Sequence, residues 1–318
     1  MASCRSIQPN SGHKQNLEHR AATAVSTLPR MNGVNIAGLE FGIDTNGGKS
    51  GSYVSPPLDQ IPHFITGKVN ALRFPIGWQY IQVNDVSDKA PLDQAYLTLL
   101  DKYVMATTKL GAFAIIDLHN YARRDGKVVG QSDLGADTLV DLWTRLAAHY
   151  KDQPKVLFGL MNEPHDLTSS VWFGVIQSVV TAIRKAGANN NILLPGNAYQ
   201  HLATFASDYN NGLSAIKNPD GSHTGLILEI HQYFDQDGSG TSTQCTQDHI
   251  AELQSVVTLL KNGGRQVFIT EAGGGNTKSC SDIVSKFVTA ATKAYPTVVG
   301  TLVWAAGSFA AVCPFLCY

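Results

Sequence analysis

The sequence predicts a single α/β domain of the (β/α)8 class, a TIM barrel. Eight short apolar runs recur along 318 residues with helical periods between them. Most of the runs are continuously apolar rather than alternating with polar residues, as expected of parallel strands covered on both faces. The length suits one large barrel.

The expected strands are Gly33–Ala37, Val69–Phe74, Ala112–Leu118, Val156–Met161, Ile192–Leu194, Leu226–Ile230, Val267–Thr270 and Val299–Val303. Between them, Leu139, Leu142, Trp143, Leu146 and Tyr150 recur at steps of three and four, which lines one face of a helix. Val171, Val175, Ile176, Val179 and Ile183 repeat the pattern, and so do Ile250, Leu253, Val257 and Leu260 before a Gly263–Gly264 stop. Ile283, Val284, Phe287 and Val288 precede Pro296. The stretch from Trp304 to Tyr318 leaves little room for a last helix of ordinary length, so that helix is expected to be short or missing. Residues 1–30 are polar and aperiodic and read as a flexible lead-in, with residues 31–318 forming the single catalytic barrel.

Hydrophobic residues make up 43 % of the chain, charged residues 15 %, and the net charge is −1. Such a surface has no field to attract nucleic acid or an anionic membrane, and a neutral polymer such as a polysaccharide suits it better. No apolar run is long enough to span a bilayer, and the polar start lacks the apolar core of a secretory signal. The five cysteines form no CxxC pair. Cys245 and Cys280 both fall in expected loops, where a disulfide and two free thiols are both compatible with the sequence.

In a parallel barrel the chemistry gathers at the C-terminal strand ends. There the sequence puts Arg73, His119, Asn162 with Glu163, His231 with Tyr233, Glu271, and Trp304. Glu163 and Glu271 follow the fourth and seventh runs, whose ends can face each other across the barrel mouth. Glycoside hydrolysis needs such a carboxyl pair, one protonating the leaving oxygen and the other attacking or assisting at the anomeric carbon. Arg73 can hold Glu271 ionised. Asn162 can bond a sugar hydroxyl, Tyr233 can donate to the nucleophile, and Trp304 can stack on a sugar face. Each of these residues also has a plainer structural reading: Arg73 as an ion-pair partner, Trp304 as core, His119 as a buried histidine. A P-loop is excluded because Thr277 stands where the glycine before Lys278-Ser279 is needed. No G-x-S-x-G or H-E-x-x-H is present.

The ordered motifs Leu72-Arg73-Phe74-Pro75-Ile76-Gly77-Trp78, Asp117-Leu118-His119-Asn120-Tyr121, Met161-Asn162-Glu163-Pro164-His165, His231-Gln232-Tyr233, Thr270-Glu271 and Val303-Trp304 resemble those of glycoside hydrolase family 5. The stretches Val34–Gly38 and Glu271–Asn276 are similar to its fungal endo-β-1,4-glucanase branch. The resemblance runs from about Gly33 to Phe309. It implies a retaining cellulase acting on β-1,4-glucan, with Glu163 as acid/base and Glu271 as nucleophile. Arg73, His119, Asn162, His231, Tyr233 and Trp304 would surround the cleaved bond. It further implies an exported enzyme with no metal or organic cofactor, expected as a monomer. Mannan, xylan or mixed-linkage glucan remain alternative substrates, and a non-catalytic carbohydrate-binding barrel is the rival from another class. Trp78, Trp172 and Tyr199 are candidate sugar platforms, with packing as the alternative for each. Trp143, on an apolar helical face, is expected in the core.

Overall fold

The structure, a computed structural model, describes residues 28–83 and 90–309. Eight parallel strands close into a barrel: β1 (Met31–Ala37), β2 (Ala71–Ile76), β3 (Phe113–Leu118), β4 (Val156–Gly159), β5 (Ile192–Leu194), β6 (Leu226–Tyr233), β7 (Val267–Gly273) and β8 (Val298–Gly307). Each strand pairs with its neighbours in sequence order, and β8 closes onto β1. All eight expected strands are present. Their boundaries differ slightly, β2 beginning at Ala71 and running through Pro75 to Ile76.

Helices α1 (Gln60–Thr66), α2 (Gln94–Lys109), α3 (Ala136–Tyr150), α4 (Ser169–Lys185), α5 (Phe205–Asn210), α6 (Ile250–Gly263) and α7 (Lys278–Lys293) fill the connections. Local signals set their ends. The Asp93 carboxylate accepts from the Tyr96 amide at the start of α2, and the Thr277 hydroxyl accepts from the Cys280 amide at the start of α7. Gly264 ends α6 in the left-handed conformation. Most residues of the apolar faces read from periodicity are buried, while Ile250, Ile283, Val284 and Val288 are half-buried and Val171 is exposed at the edge of its helix. Trp143 is fully buried and donates to the Leu160 carbonyl at 3.0 Å.

Two apolar regions result. The larger lies between strands and helices. The smaller takes Met31, Ala71, Ile115, Leu157, Leu193, Ile227, Phe268 and Leu302, one from each strand, and so fills the barrel interior. Because side chains alternate along a strand, two residues further on the same inward face continues. There it becomes polar, with Arg73 on β2, Asp117 on β3, Glu229 on β6 and Thr270 on β7, all fully buried. The barrel is thus an apolar floor carrying a polar layer, and the strand ends stand above that layer.

Leu28 is buried against the barrel floor, and its carbonyl accepts from the Tyr295 hydroxyl at 2.9 Å. The rest of the expected flexible lead-in, and the expected short or missing last helix beyond Phe309, lie outside the described residues. Cys245 and Cys280 form a disulfide.

Candidate active site

Arg73 is the centre of the polar layer. Its Nη1 donates to Asn35 Oδ1 at 2.8 Å and to Glu271 Oε1 at 2.5 Å. Its Nη2 donates to Asn162 Oδ1 at 2.8 Å and lies 2.9 Å from Asp117 Oδ1. Its Nε is 4.0 Å from Glu229 Oε1. Burial alone would disfavour the charge, but Asp117, Glu271 and Glu229 outweigh it, and the guanidinium titrates above its ordinary range. Only a planar fork can engage so many acceptors at once.

Glu271 follows a local irregularity in β7. Ile230 pairs with Ile269, but the next residue, His231, pairs with Glu271, so β7 carries one residue more than β6 at Thr270. Such a bulge breaks the alternation of sides. As a result the consecutive residues Thr270 and Glu271 both reach inward groups. Thr270 Oγ1 meets His231 Nε2 at 3.1 Å and donates to Glu229 Oε1 at 2.6 Å. Glu271 takes Arg73 on Oε1, and the Tyr233 hydroxyl donates to Oε2 at 2.7 Å. Burial, then the Glu271 charge, holds the Tyr233 phenol well above its ordinary pKa, so it stays a donor.

Glu163 stands just past the end of β4 with φ 44°, a left-handed conformation that costs a non-glycine residue energy. Its amide donates to Gln200 Oε1 at 2.7 Å, from a loop in which Ala198, Tyr199 and Gln200 are also left-handed. Glu163 Oε1 meets His231 Nδ1 at 2.8 Å. Its side chain is 18 % exposed, against 4 % for Glu271. Burial pushes the Glu163 carboxyl up to about 7, and the Arg73 charge only partly opposes this. Burial pulls His231 down to about 4, so its imidazole is neutral near pH 7.

On the third side, His119 Nδ1 lies 2.9 Å from Asp117 Oδ2, and its ring stacks on the half-buried Trp304 indole with centroids 5.4 Å apart. Burial lowers the His119 pKa to about 3, so this ring is neutral too. Asn162 is buried, and its Nδ2 has no acceptor among the described residues.

Arg73, His231 and Tyr233 therefore touch Glu163 or Glu271 directly, and Asn162 is joined to Glu271 through Arg73, whereas His119, with Trp304 stacked on it, reaches Arg73 through Asp117. Trp78 and Trp172 do not join this network, and their expected role as sugar platforms is corrected. Both are fully buried. The Trp78 indole N–H donates to Gln82 and that of Trp172 to the Gly196 carbonyl, so each is a core residue with its polar edge satisfied. Tyr199 is 37 % exposed and lies flat on His165, with centroids 4.3 Å apart.

Sequence reasoning gave no role to Asn35, Asp117, Gln200, Glu229 or Thr270. Asp117 and Glu229 had a usable signal, since each is a charge inside an apolar strand run and a buried charge requires a partner. Thr270 and Gln200 had none: alternation from Phe268 turns Thr270 inward but would turn Glu271 away, so that only the bulge admits both, and Gln200 depends on a loop conformation.

Glu163, His231 and Glu271 each offer a ligand atom within 4.8 Å of the others. These donors do not fit a metal ion. Arg73 and Tyr233 already occupy both Glu271 oxygens, His231 and Glu163 Oε1 occupy each other, and a cation there would sit beside the guanidinium.

The sequence profile described as Cellulase (glycosyl hydrolase family 5) matches residues 32–309. The chain belongs to this family. Endoglucanase 1 of Saitozyma flava is 41 % identical over 285 residues, covering 89 % of this chain and 83 % of that protein. The manganese dependent endoglucanase Eg5A of Phanerodontia chrysosporium is 40 % identical, covering 89 % and 73 %. The crystal structure of Cel5A (EG2) from Hypocrea jecorina superposes with a TM-score of 0.85 at 39 % identity, covering 89 % of this chain and 90 % of that one. This family 5 chain is thus a glycoside hydrolase, and the barrel mouth holding Glu163 and Glu271 is its candidate cleft.

Proposed function

We propose that the chain is an endo-β-1,4-glucanase that cuts internal bonds of cellulose or related β-glucans with retention at the anomeric carbon. The observation that carries this is the spacing of two unlike carboxyls. A carboxylate oxygen of Glu163 and one of Glu271 lie within 4.8 Å of each other. Retaining enzymes keep their carboxyls about 5–5.5 Å apart, and inverting ones about 6.5–9.5 Å.

The two environments assign the roles. Glu271, fastened to Arg73 and Tyr233, is the nucleophile that attacks the anomeric carbon. Glu163, with its pKa near 7, is protonated on the acid side of neutrality and gives its proton to the leaving glycosidic oxygen. The resulting Glu163 carboxylate then takes a proton from the water that cleaves the glycosyl–Glu271 ester. The free Asn162 Nδ2 supports a contact to a sugar hydroxyl, and the half-buried Trp304 face supports stacking under a sugar ring.

The endoglucanase relatives support a β-glucan polysaccharide as substrate. The manganese dependence in one relative's description is not carried over, because the donor set here does not suit a cation. Among the described residues no helix is long and apolar enough to cross a membrane. The disulfide supports work in an oxidising, extracellular setting. A monomer acting without nucleic acid is part of the same reading.

The test is Glu163→Gln and Glu271→Gln assayed on cellopentaose and carboxymethyl cellulose. Each should lose about 100-fold or more in kcat while melting like the parent. Near-parental activity in either variant sinks the assignment. Proton NMR of the first product should show the β-anomer, and an α-anomer overturns retention. Parallel assays on mannan and xylan check the glucan preference.

A further inference from the structure

Beneath the carboxyl pair runs a chain of hydrogen bonds ending on a carboxyl that the mechanism above does not use. Glu163 Oε1 meets His231 Nδ1 at 2.8 Å, His231 Nε2 meets Thr270 Oγ1 at 3.1 Å, and Thr270 Oγ1 donates to Glu229 Oε1 at 2.6 Å. His231, Thr270 and Glu229 are fully buried, so water does not compete for these bonds.

The polarity of this chain follows from proton counting. A hydroxyl has one proton, so a Thr270 that donates to Glu229 must accept from His231. His231 therefore carries its proton on Nε2. A neutral imidazole has only one such proton, which leaves Nδ1 a bare lone pair. The proton in the 2.8 Å contact must then belong to Glu163 Oε1. The far end is held in the same sense. Burial raises the Glu229 pKa, while Arg73 Nε, 4.0 Å from its Oε1, favours negative charge on that atom. Glu229 Oε2 has no hydrogen-bond partner, so a proton taken up on that atom leaves Oε1 an acceptor.

We propose that Glu229 and Thr270 are positioning residues that fix His231 as its Nε2–H tautomer and thereby keep the catalytic proton on Glu163. The proposal rests on Glu163 being the acid/base. Neither Glu229 nor Thr270 touches the reacting atoms. When Glu163 passes its proton to the leaving oxygen, the Nδ1 lone pair faces a fresh carboxylate. That repulsion strengthens Glu163 as a base, and it recovers a proton at the same atom from the incoming water.

The other titratable and charged groups around Glu163 are Arg73, Asp117, His165 and Glu271, with the phenols of Tyr121, Tyr199 and Tyr233. Around Glu229 they are Arg73, Asp117 and His231. Among the described residues only His231 hydrogen-bonds the Glu163 carboxyl.

The experiment compares the parent with Thr270→Val, which keeps the shape and deletes the hydroxyl, and with Thr270→Ser, which restores it. In the parent, 15N NMR of His231 should show a protonated Nε2 and a bare Nδ1. In Thr270→Val the basic limb of kcat/KM should move down by about one pH unit, and cellopentaose turnover should fall about tenfold. Hydrolysis of an aryl β-cellobioside with a good leaving group needs no acid and should change less than about threefold. Thr270→Ser should return all three readouts toward the parent. An Nδ1–H tautomer in the parent overturns the proposal. Equal losses on both substrates with an unmoved basic limb also overturn it. An active Glu163→Gln is a separate result, which overturns the role of Glu163 itself.

Discussion

Arg73 and Glu271 are 198 residues apart in sequence and 2.5 Å apart between Nη1 and Oε1. The contact links β2 to β7 across the barrel and pins one carboxylate oxygen, while Tyr233 pins the other. A nucleophile held at both oxygens needs little reorganisation when its charge moves onto carbon. The same guanidinium carries Asn35, Asp117 and Asn162, so the position of Glu271 depends on a shared hub.

Arg73→Lys tests the hub. An ammonium keeps the charge but cannot span Asn35, Asn162, Asp117 and Glu271 together. The expected result is a loss of about 100-fold in kcat with the fold retained. Arg73→Ala leaves buried carboxylates unpaired and should also cost about 3–5 kcal/mol of stability. Steady-state kinetics and urea melts separate the two effects. Parental kcat in Arg73→Lys counts against the hub.

The pH profile should carry a basic limb near 7. Burial raises the Glu163 carboxyl to about 7, and only the protonated acid assists departure of the leaving sugar. Activity on cellooligosaccharides should therefore fall as the pH rises through that value. His119 and His231, lowered to about 3 and about 4, are neutral across this range and cannot produce the limb. A kcat/KM profile flat from pH 6 to about 9 contradicts the assignment.

Much of this was legible in the sequence. Mostly apolar runs marked all eight strands, because strands covered on both faces do not alternate regularly with polar residues. Glu163 and Glu271 stood out because they follow such runs directly. The failures have physical causes. Trp78 and Trp172 look like platforms in sequence because an indole at a strand end or helix start suits either a cleft or a core. Only burial separates the two. Thr270 was hard to read beside Glu271 because strict alternation allows only one of the two to face inward, and the β7 bulge that admits both leaves no mark in the sequence. Glu229, inside an apolar run, carried a signal that a buried-charge argument could have used.

The tryptophans give a paired prediction. Trp172→Ala opens a cavity in the core and should cost about 3–5 kcal/mol, with KM for cellopentaose unchanged in the folded protein. Trp304→Ala should do the reverse, raising KM or lowering kcat with a smaller change in stability. Thermal melts beside kinetics decide it, and a raised KM in Trp172→Ala restores the platform reading.

The disulfide should stabilise the loop that follows the nucleophile. Cys245 and Cys280 are 35 residues apart, and closing a loop of that length stabilises the fold by about 4 kcal/mol in the chain-entropy account. A methyl at Gly274 would lie 2.6 Å from Cys245 Sγ, so the bridge packs directly on the chain just after Glu271. Cys245→Ser with Cys280→Ser should lower the urea midpoint accordingly. Matching midpoints would show that the bridge adds nothing.

Glu40 gives a prediction about stability rather than catalysis. This buried carboxyl accepts from the Gly38 amide at 2.7 Å, and burial, opposed by that bond and by Arg73, raises its pKa to about 8 from 4.5. A carboxyl raised in the folded state binds its proton more tightly there than in the unfolded chain. Its contribution is therefore fully present below about pH 4.5 and is lost progressively as the pH rises toward and through about 8. The loss is on the order of a few kcal/mol. Glu40→Gln keeps an acceptor for Gly38 and cannot ionise. Its melting temperature should match the parent at about pH 4 and exceed it at about pH 8. Parallel melting curves for the two proteins across that window would mean that Glu40 ionises in the folded protein as freely as in water.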